Sequence, residues 1–147
     1  MPEYLYVSSR KELEDYTTVD DLTDFLYESL KPYEDPKEQI SEGIDYAFSS
    51  AEGKGGFIQL AVEDDELVGA LVMLNTGMKG YIPPNVLLYI AVSPGNRGQG
   101  IGGNLIKMAF EKAEGDIKLH VEHDNPAKRL YQRMGFQSKY AEMRYSR

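Results

Sequence analysis

Apolar residues recur along the chain in two different periods, and the change of period separates helices from strands. From Thr18 to Leu30, Val19, Leu22, Phe25, Leu26 and Leu30 stand at helical spacing, which predicts an amphipathic helix that Lys31-Pro32 ends. A second helix is predicted from Asp35 as N-cap, Pro36 at the first helical position and Glu38 at the third, with Ile40, Ile44, Ala47 and Phe48 on its apolar stripe. Glu52-Gly53-Lys54-Gly55-Gly56 breaks that pattern. Phe57 to Glu63 and Leu67 to Asn75 then read as strands around the tight turn Asp64-Asp65-Glu66, an antiparallel hairpin. After a loop from Gly77 to Asn85 comes Val86-Leu87-Leu88-Tyr89-Ile90-Ala91-Val92, a nearly continuous apolar run that suits a central strand buried on both faces.

Shorter signals complete the order. Tyr4 to Val7 reads as a first strand, and Leu105, Ile106, Ala109, Phe110 and Ala113 mark a third helix that stops at Gly115. Ile117 to Val121 reads as a strand, Asn125 to Met134 as a fourth helix closed by Gly135, and Phe136 to Tyr145 as one or two terminal strands. The resulting order, β-α-α-β-β-β-α-β-α-β, predicts an α/β fold of the α+β type around a sheet of mixed direction. With 147 residues and no repeat or linker, residues 1–147 read as a single domain.

The net charge of -8 is unevenly spread. Residues 1–96 carry a balance of -12 and residues 97–147 one of +4, which suits a cationic partner on one side and a polyanion on the other. Duplex nucleic acid would call for a broad basic face, so it is not an expected partner. The absence of cysteine excludes disulfides, thiolate metal sites and a cysteine nucleophile. His120 and His123 point to different strand faces, and no metal site is expected. No apolar run approaches membrane-spanning length and the N-terminus lacks a signal-peptide pattern, so a cytoplasmic protein is the expectation.

The strongest chemical signal is Arg97-Gly98-Gln99-Gly100-Ile101-Gly102-Gly103, between the central strand and the third helix. Unpaired N–H groups at a helix N-terminus, glycines that let an oxygen approach them, and an adjacent arginine together make an anion site. Each glycine in a helical turn costs up to about 1 kcal/mol relative to alanine, so this density calls for a reason. Gly98, Gly100 and Gly103 also satisfy a dinucleotide fingerprint, with Glu122 near the position of a ribose-binding acid. That fold, however, needs further βαβ units after Glu122, and the N-terminal half offers a hairpin instead. A nucleotide P-loop fails for want of a closing Gly-Lys-Ser/Thr.

Arg97 to Gly102, preceded by Ile90-Ala91-Val92-Ser93-Pro94, resembles the Arg/Gln-x-x-Gly-x-Gly/Ala turn of the GNAT superfamily of N-acetyltransferases. Asn125-Pro126-Ala127-Lys128-Arg129-Leu130-Tyr131-Gln132-Arg133-Met134-Gly135-Phe136 is similar to a second segment of that family, in the expected order. The resemblance covers roughly residues 86–136 and implies a mostly antiparallel sheet with splayed central strands and about four helices. It further implies acetyl-CoA as cosubstrate and a primary amine as acceptor, either a small cationic amine or a peptide amine.

Residue by residue, the resemblance implies that Ile90, Ala91 and Val92 line the pantetheine arm. A backbone N–H near Val92 would then stabilise the thioester oxyanion. Arg97, Gly98, Gln99, Gly100, Ile101, Gly102 and Gly103 would hold the pyrophosphate, Asn125 would contact the coenzyme and also cap its helix, and Tyr131 would protonate the departing thiolate. Where relatives carry a general-base glutamate this chain has Val86, which leaves Asp24, Glu28 and Glu63 as candidates by composition. With 12 residues after Gly135, the last strands are expected to be abbreviated, which puts in question the homodimer contact relatives build there. A non-catalytic CoA-binding regulatory module is the alternative reading, with Val86 in its favour.

Overall fold

The computed structural model describes residues 1–147. Its elements are β1 (Glu3–Val7), α1 (Arg10–Leu13), α2 (Val19–Leu30), α3 (Lys37–Ala47), β2 (Gly56–Glu63), β3 (Glu66–Asn75), β4 (Asn85–Val92), α4 (Ile101–Lys112), β5 (Ile117–Lys118) and α5 (Ala127–Arg133), with one short 3-10 turn at Pro94–Asn96. The five strands lie in sequence order in one sheet. All neighbours are antiparallel except β4 and β5, which are parallel. The fold is therefore α/β with a mixed, mostly antiparallel sheet, as the sequence predicts.

Local chemistry sets most boundaries. Thr18 caps α2 by accepting from the Asp21 N–H at 3.1 Å, and Ser9 caps the single-turn helix α1, which periodicity misses because one turn carries no repeat. The α3 cap falls at Pro36 rather than Asp35, because Pro36 has ψ of 145°, outside the helical region, so the helix begins at Lys37. Asp64 and Asp65 alone form the hairpin turn between β2 and β3, both at positive φ.

Two departures concern the C-terminal third. β5 is only Ile117–Lys118 rather than Ile117 to Val121, and Phe136 to Tyr145 forms no strand. A strand exists only as a paired element. β5 ends too soon to offer an edge, and the residues from Gln137 onward are exposed.

Each face of the sheet carries its own core. One packs α1, α2 and α3 on Val7, Ile58, Leu60, Ala70, Val72, Tyr89 and Ala91. The other packs α4 and α5 on Phe57, Leu71, Met73 and Leu87 through Ile101, Leu105, Ile106, Ala109 and Tyr131.

Candidate active site

β4 is the strand on which the site is built, and it is not regular. Tyr89 pairs with Val72 while Leu87 pairs with Met73, so Leu88 is an extra residue, a β-bulge. The bulge breaks the alternation of faces: Leu87 joins the α4–α5 core, whereas Leu88 and Tyr89, in succession, both pack on the α2–α3 side. Gly43 of α3 makes room for this, since a Cβ there would stand 2.6 Å from Leu88 Cδ2.

β4 also parts from β5. Only Asn85 and Val86 pair with it, opposite Ile117 and Lys118. The buried Asn85 side chain pins this closed end by donating to the carbonyls of Glu114 at 2.6 Å and Asp116 at 3.2 Å. Pairing stops at Val86, where β5 ends, and the edge of β4 from Leu87 to Val92 has no strand beside it. Ile90 and Val92 turn their side chains to the α4–α5 side of this opening, and Ala91 to the other.

At the open end lies the glycine turn. Gly98 and Gly100 have φ of 80° and 81°, a region other residues enter only at a cost, and a Cβ on either would meet nothing within 4 Å. No N–H from Arg97 to Gly103 finds an acceptor within the protein; the first bond of α4 is Asn104 N–H to Gly100 O at 3.0 Å. A row of unpaired donors at the positive end of a helix, with open space before it, is an anion cradle. Gln99 is exposed there, while the Ile101 side chain is buried beneath the turn. Gly102 has a different role. A Cβ there would stand 3.1 Å from Leu130 Cδ2, so this glycine lets α5 pack against the first turn of α4.

Arg97 is less free than its sequence position implies. Its Nη2 donates to Ser29 O at 2.7 Å and its Nε to Val92 O at 3.3 Å, which ties the end of α2 to the turn. Asn125 accepts from Ala127 N–H at 2.9 Å and donates to Glu122 at 3.0 Å, which organises the entry to α5. Tyr131, 9% exposed, stacks edge-on against Phe136 with ring centroids 6.0 Å apart. Burial pushes its phenol up to about 12, with the charge of Glu122 acting in the same direction, so it stays protonated at neutral pH.

The loop between α2 and α3 roofs the opening. Tyr33 donates to Asp124 O at 3.1 Å, across to the segment before α5. Tyr89 donates to Asp35 Oδ2 at 2.9 Å. Burial first, and then the bond to Asp35, raises the Tyr89 phenol well above its ordinary range; desolvation and the charges of Asp124 and Glu122 raise Tyr33. Sequence reasoning missed Tyr33, Tyr89, Asn85 and Ser29 as parts of this site. Tyr89 had one legible signal, a polar tip inside an otherwise aliphatic run, which has to find a partner when buried.

The three acids named from composition are each held in an ion pair. Asp24 pairs with Lys37 at 3.0 Å, Glu28 with Lys31 at 3.2 Å, and Glu63 with the N-terminal ammonium at 3.1 Å, all partly or largely exposed. His120 and His123 are exposed, and no group of three or more His, Cys, Asp or Glu side chains is placed to hold a metal ion. No helix is long and apolar enough to cross a membrane.

The family model of the acetyltransferase (GNAT) domain matches residues 54–138. No curated protein matches the chain. Among solved structures, an aminoglycoside N-acetyltransferase, AAC(6')-Iy, in complex with CoA is similar with a TM-score of 0.69 and 13% identity, over 100% of this chain and 96% of that one. A ribosomal-protein-alanine N-acetyltransferase from Brucella melitensis biovar Abortus 2308 gives 0.66 and 17%, over 99% of each chain. A transcriptional regulator from Bacillus halodurans C-125 gives 0.69 and 18%, over 98% of this chain and 99% of that one. At these identities the likeness is one of fold.

Proposed function

The chain belongs to the GNAT acetyltransferase family, and on that footing we propose that it transfers an acetyl group from acetyl-CoA to a primary amine by direct attack on the thioester. The observation that carries the proposal is the row of unpaired N–H groups from Arg97 to Gly103, which follows, after a short turn, the edge of β4 that has no strand beside it. A pyrophosphate fits the first and an amide-bearing arm the second, as an added strand does.

Acetyl-CoA supplies the activated acyl group. The backbone of Arg97, Gly98, Gln99, Gly100, Ile101, Gly102 and Gly103 holds its pyrophosphate, Ile90, Ala91 and Val92 line its pantetheine arm, and Asn125 keeps α5 against it. An arm that began at the turn and followed β4 would end toward Leu88, so the N–H groups at the bulge would face the thioester oxygen. Tyr131 keeps its proton at neutral pH and gives it to the departing sulfur. The acceptor enters beneath the α2–α3 loop, where the charges of Asp35, Glu42, Glu122 and Asp124 around Tyr33 and Tyr89 favour a cationic amine, small or peptide-borne.

Two measurements test this. CoA at 100 times its dissociation constant stabilises the protein by about 2.7 kcal/mol, whereas NAD leaves the melting temperature unchanged. Thiol release from acetyl-CoA across a library of amines identifies an acceptor. If Tyr131→Phe and a bulky replacement of Gly100 both leave that turnover intact, the site is wrongly assigned. A CoA-binding regulatory module is the second reading, favoured by Val86 in place of an acid; CoA stabilisation without thiol release from any amine would select it.

A further inference from the structure

An ammonium cannot attack a thioester until it has lost a proton, and β4 offers no acid at Val86 to take it. Resting on the acetyltransferase reading above, we propose that Asp35, held in place by Tyr89, is the general base.

The argument is one of faces. The anion cradle, Ile90, Val92 and Tyr131 all belong to the α4–α5 side of the sheet. An acceptor that meets the acyl group at β4 therefore comes from the other side, beneath α2, α3 and their connecting loop. The bulge turns Leu88 and Tyr89 together to that side, beside the opening between β4 and β5. From there the Tyr89 hydroxyl, fixed by a ring only 8% exposed, reaches Asp35 Oδ2 at 2.9 Å. The remaining carboxylate oxygen of Asp35 makes no hydrogen bond or ion pair within the protein. The loop that bears it is tied down ahead of Asp35, by Tyr33 to Asp124 O, and the end of α2 that leads into it by Ser29 O to Arg97. A carboxylate with one oxygen fixed and the other free, on an anchored loop over the reacting strand, is what proton abstraction calls for.

The protons balance. The bound ammonium gives one proton to Asp35, and the nitrogen then bonds to the acyl carbon as the carbon–sulfur bond breaks. Tyr131 protonates the sulfur, the phenolate recovers a proton from the nitrogen through solvent, and Asp35 releases its own to bulk water. Of the charged and titratable groups, Tyr33, Glu34 and Lys37 are near Asp35 in the chain, Tyr89 of β4 bonds it, Glu42 of α3 acts on Tyr89, and Glu122 and Asp124 act on Tyr33. Lys37 is already paired with Asp24.

The test uses the whole chain with acetyl-CoA, lysine peptides and alkyl diamines as probes, and thiol release as the readout from pH 6 to pH 10. Asp35→Asn lowers kcat/KM about 100-fold or more at pH 7. The deficit closes as the pH nears the amine's own value of about 10, where no base is needed. Tyr89→Phe gives a smaller loss with the same trend, and both variants keep the thermal stabilisation by CoA and the KM for acetyl-CoA. A deficit constant across pH, or one confined to the KM for the amine, overturns the proposal. Wild-type protein that neither gains stability from CoA nor releases thiol overturns the acetyltransferase reading itself, a result told apart by the missing CoA response.

Discussion

The Arg97 guanidinium donates to the carbonyl of Ser29 at 2.7 Å and so caps the C-terminal end of α2 from the glycine turn. A cation at that end also meets the negative pole of the helix. Arg97→Ala should lower stability by about 1–2 kcal/mol and weaken CoA binding in the same protein. Urea denaturation with and without CoA checks both; an unchanged midpoint would remove the brace.

The glycines of the turn separate by backbone geometry. Gly100→Ala forces a side chain into φ near 81°, at a cost of about 1–2 kcal/mol, and weakens CoA binding. Gly103→Ala, inside α4 with nothing within 4 Å of its Cβ, should raise stability by up to about 1 kcal/mol through helix propensity. Opposite shifts in melting temperature are the expected pair, and equal shifts would contradict the assigned geometry.

Tyr131→Phe keeps the ring against Phe136 and loses only the proton donor. Turnover should fall about 100-fold while CoA binding, read by calorimetry, stays as it was. A matching loss of CoA affinity would make Tyr131 a structural residue instead.

Tyr131 and Tyr89 both ionise less readily when folded than the ordinary phenol at 10.0. Above pH 10 the unfolded chain loses these protons first, so the stability they contribute is intact below pH 10 and falls as pH rises toward about 12 for Tyr131. Denaturation midpoints between pH 9 and pH 12 should decline, and less steeply in Tyr131→Phe.

Asp24→Asn, Glu28→Gln and Glu63→Gln remove partners of exposed ion pairs. Each should change stability by less than about 1 kcal/mol and leave turnover within twofold. A large kinetic effect of any one would relocate the base.

Much of the site was readable because its chemistry is local. Four glycines between Gly98 and Gly103 announce a helix N-terminus opened to an anion, and Asn125-Pro126 announces the entry to α5, since both effects act within a turn of chain. The central run Val86 to Val92 was likewise legible as a strand covered on both faces. Composition could not show which acid meets Tyr89, because that depends on what lies across from it: Asp35 reads as a helix cap until Tyr89, 54 residues later, reaches it. The terminal strands failed for the converse reason, as residues with some strand tendency found no edge to pair with.

The sequence by itself determined the order of most elements and the place of the anion cradle, which follow from short-range periodicity and backbone permissiveness, and its two motifs carried the family resemblance. The tertiary structure alone decided the bulge at Leu88, the end of β4–β5 pairing just past the Asn85 clamp, and the meeting of Asp35 with Tyr89. Strand register and contacts between distant segments are settled by how whole faces pack, and no single stretch of chain carries that information.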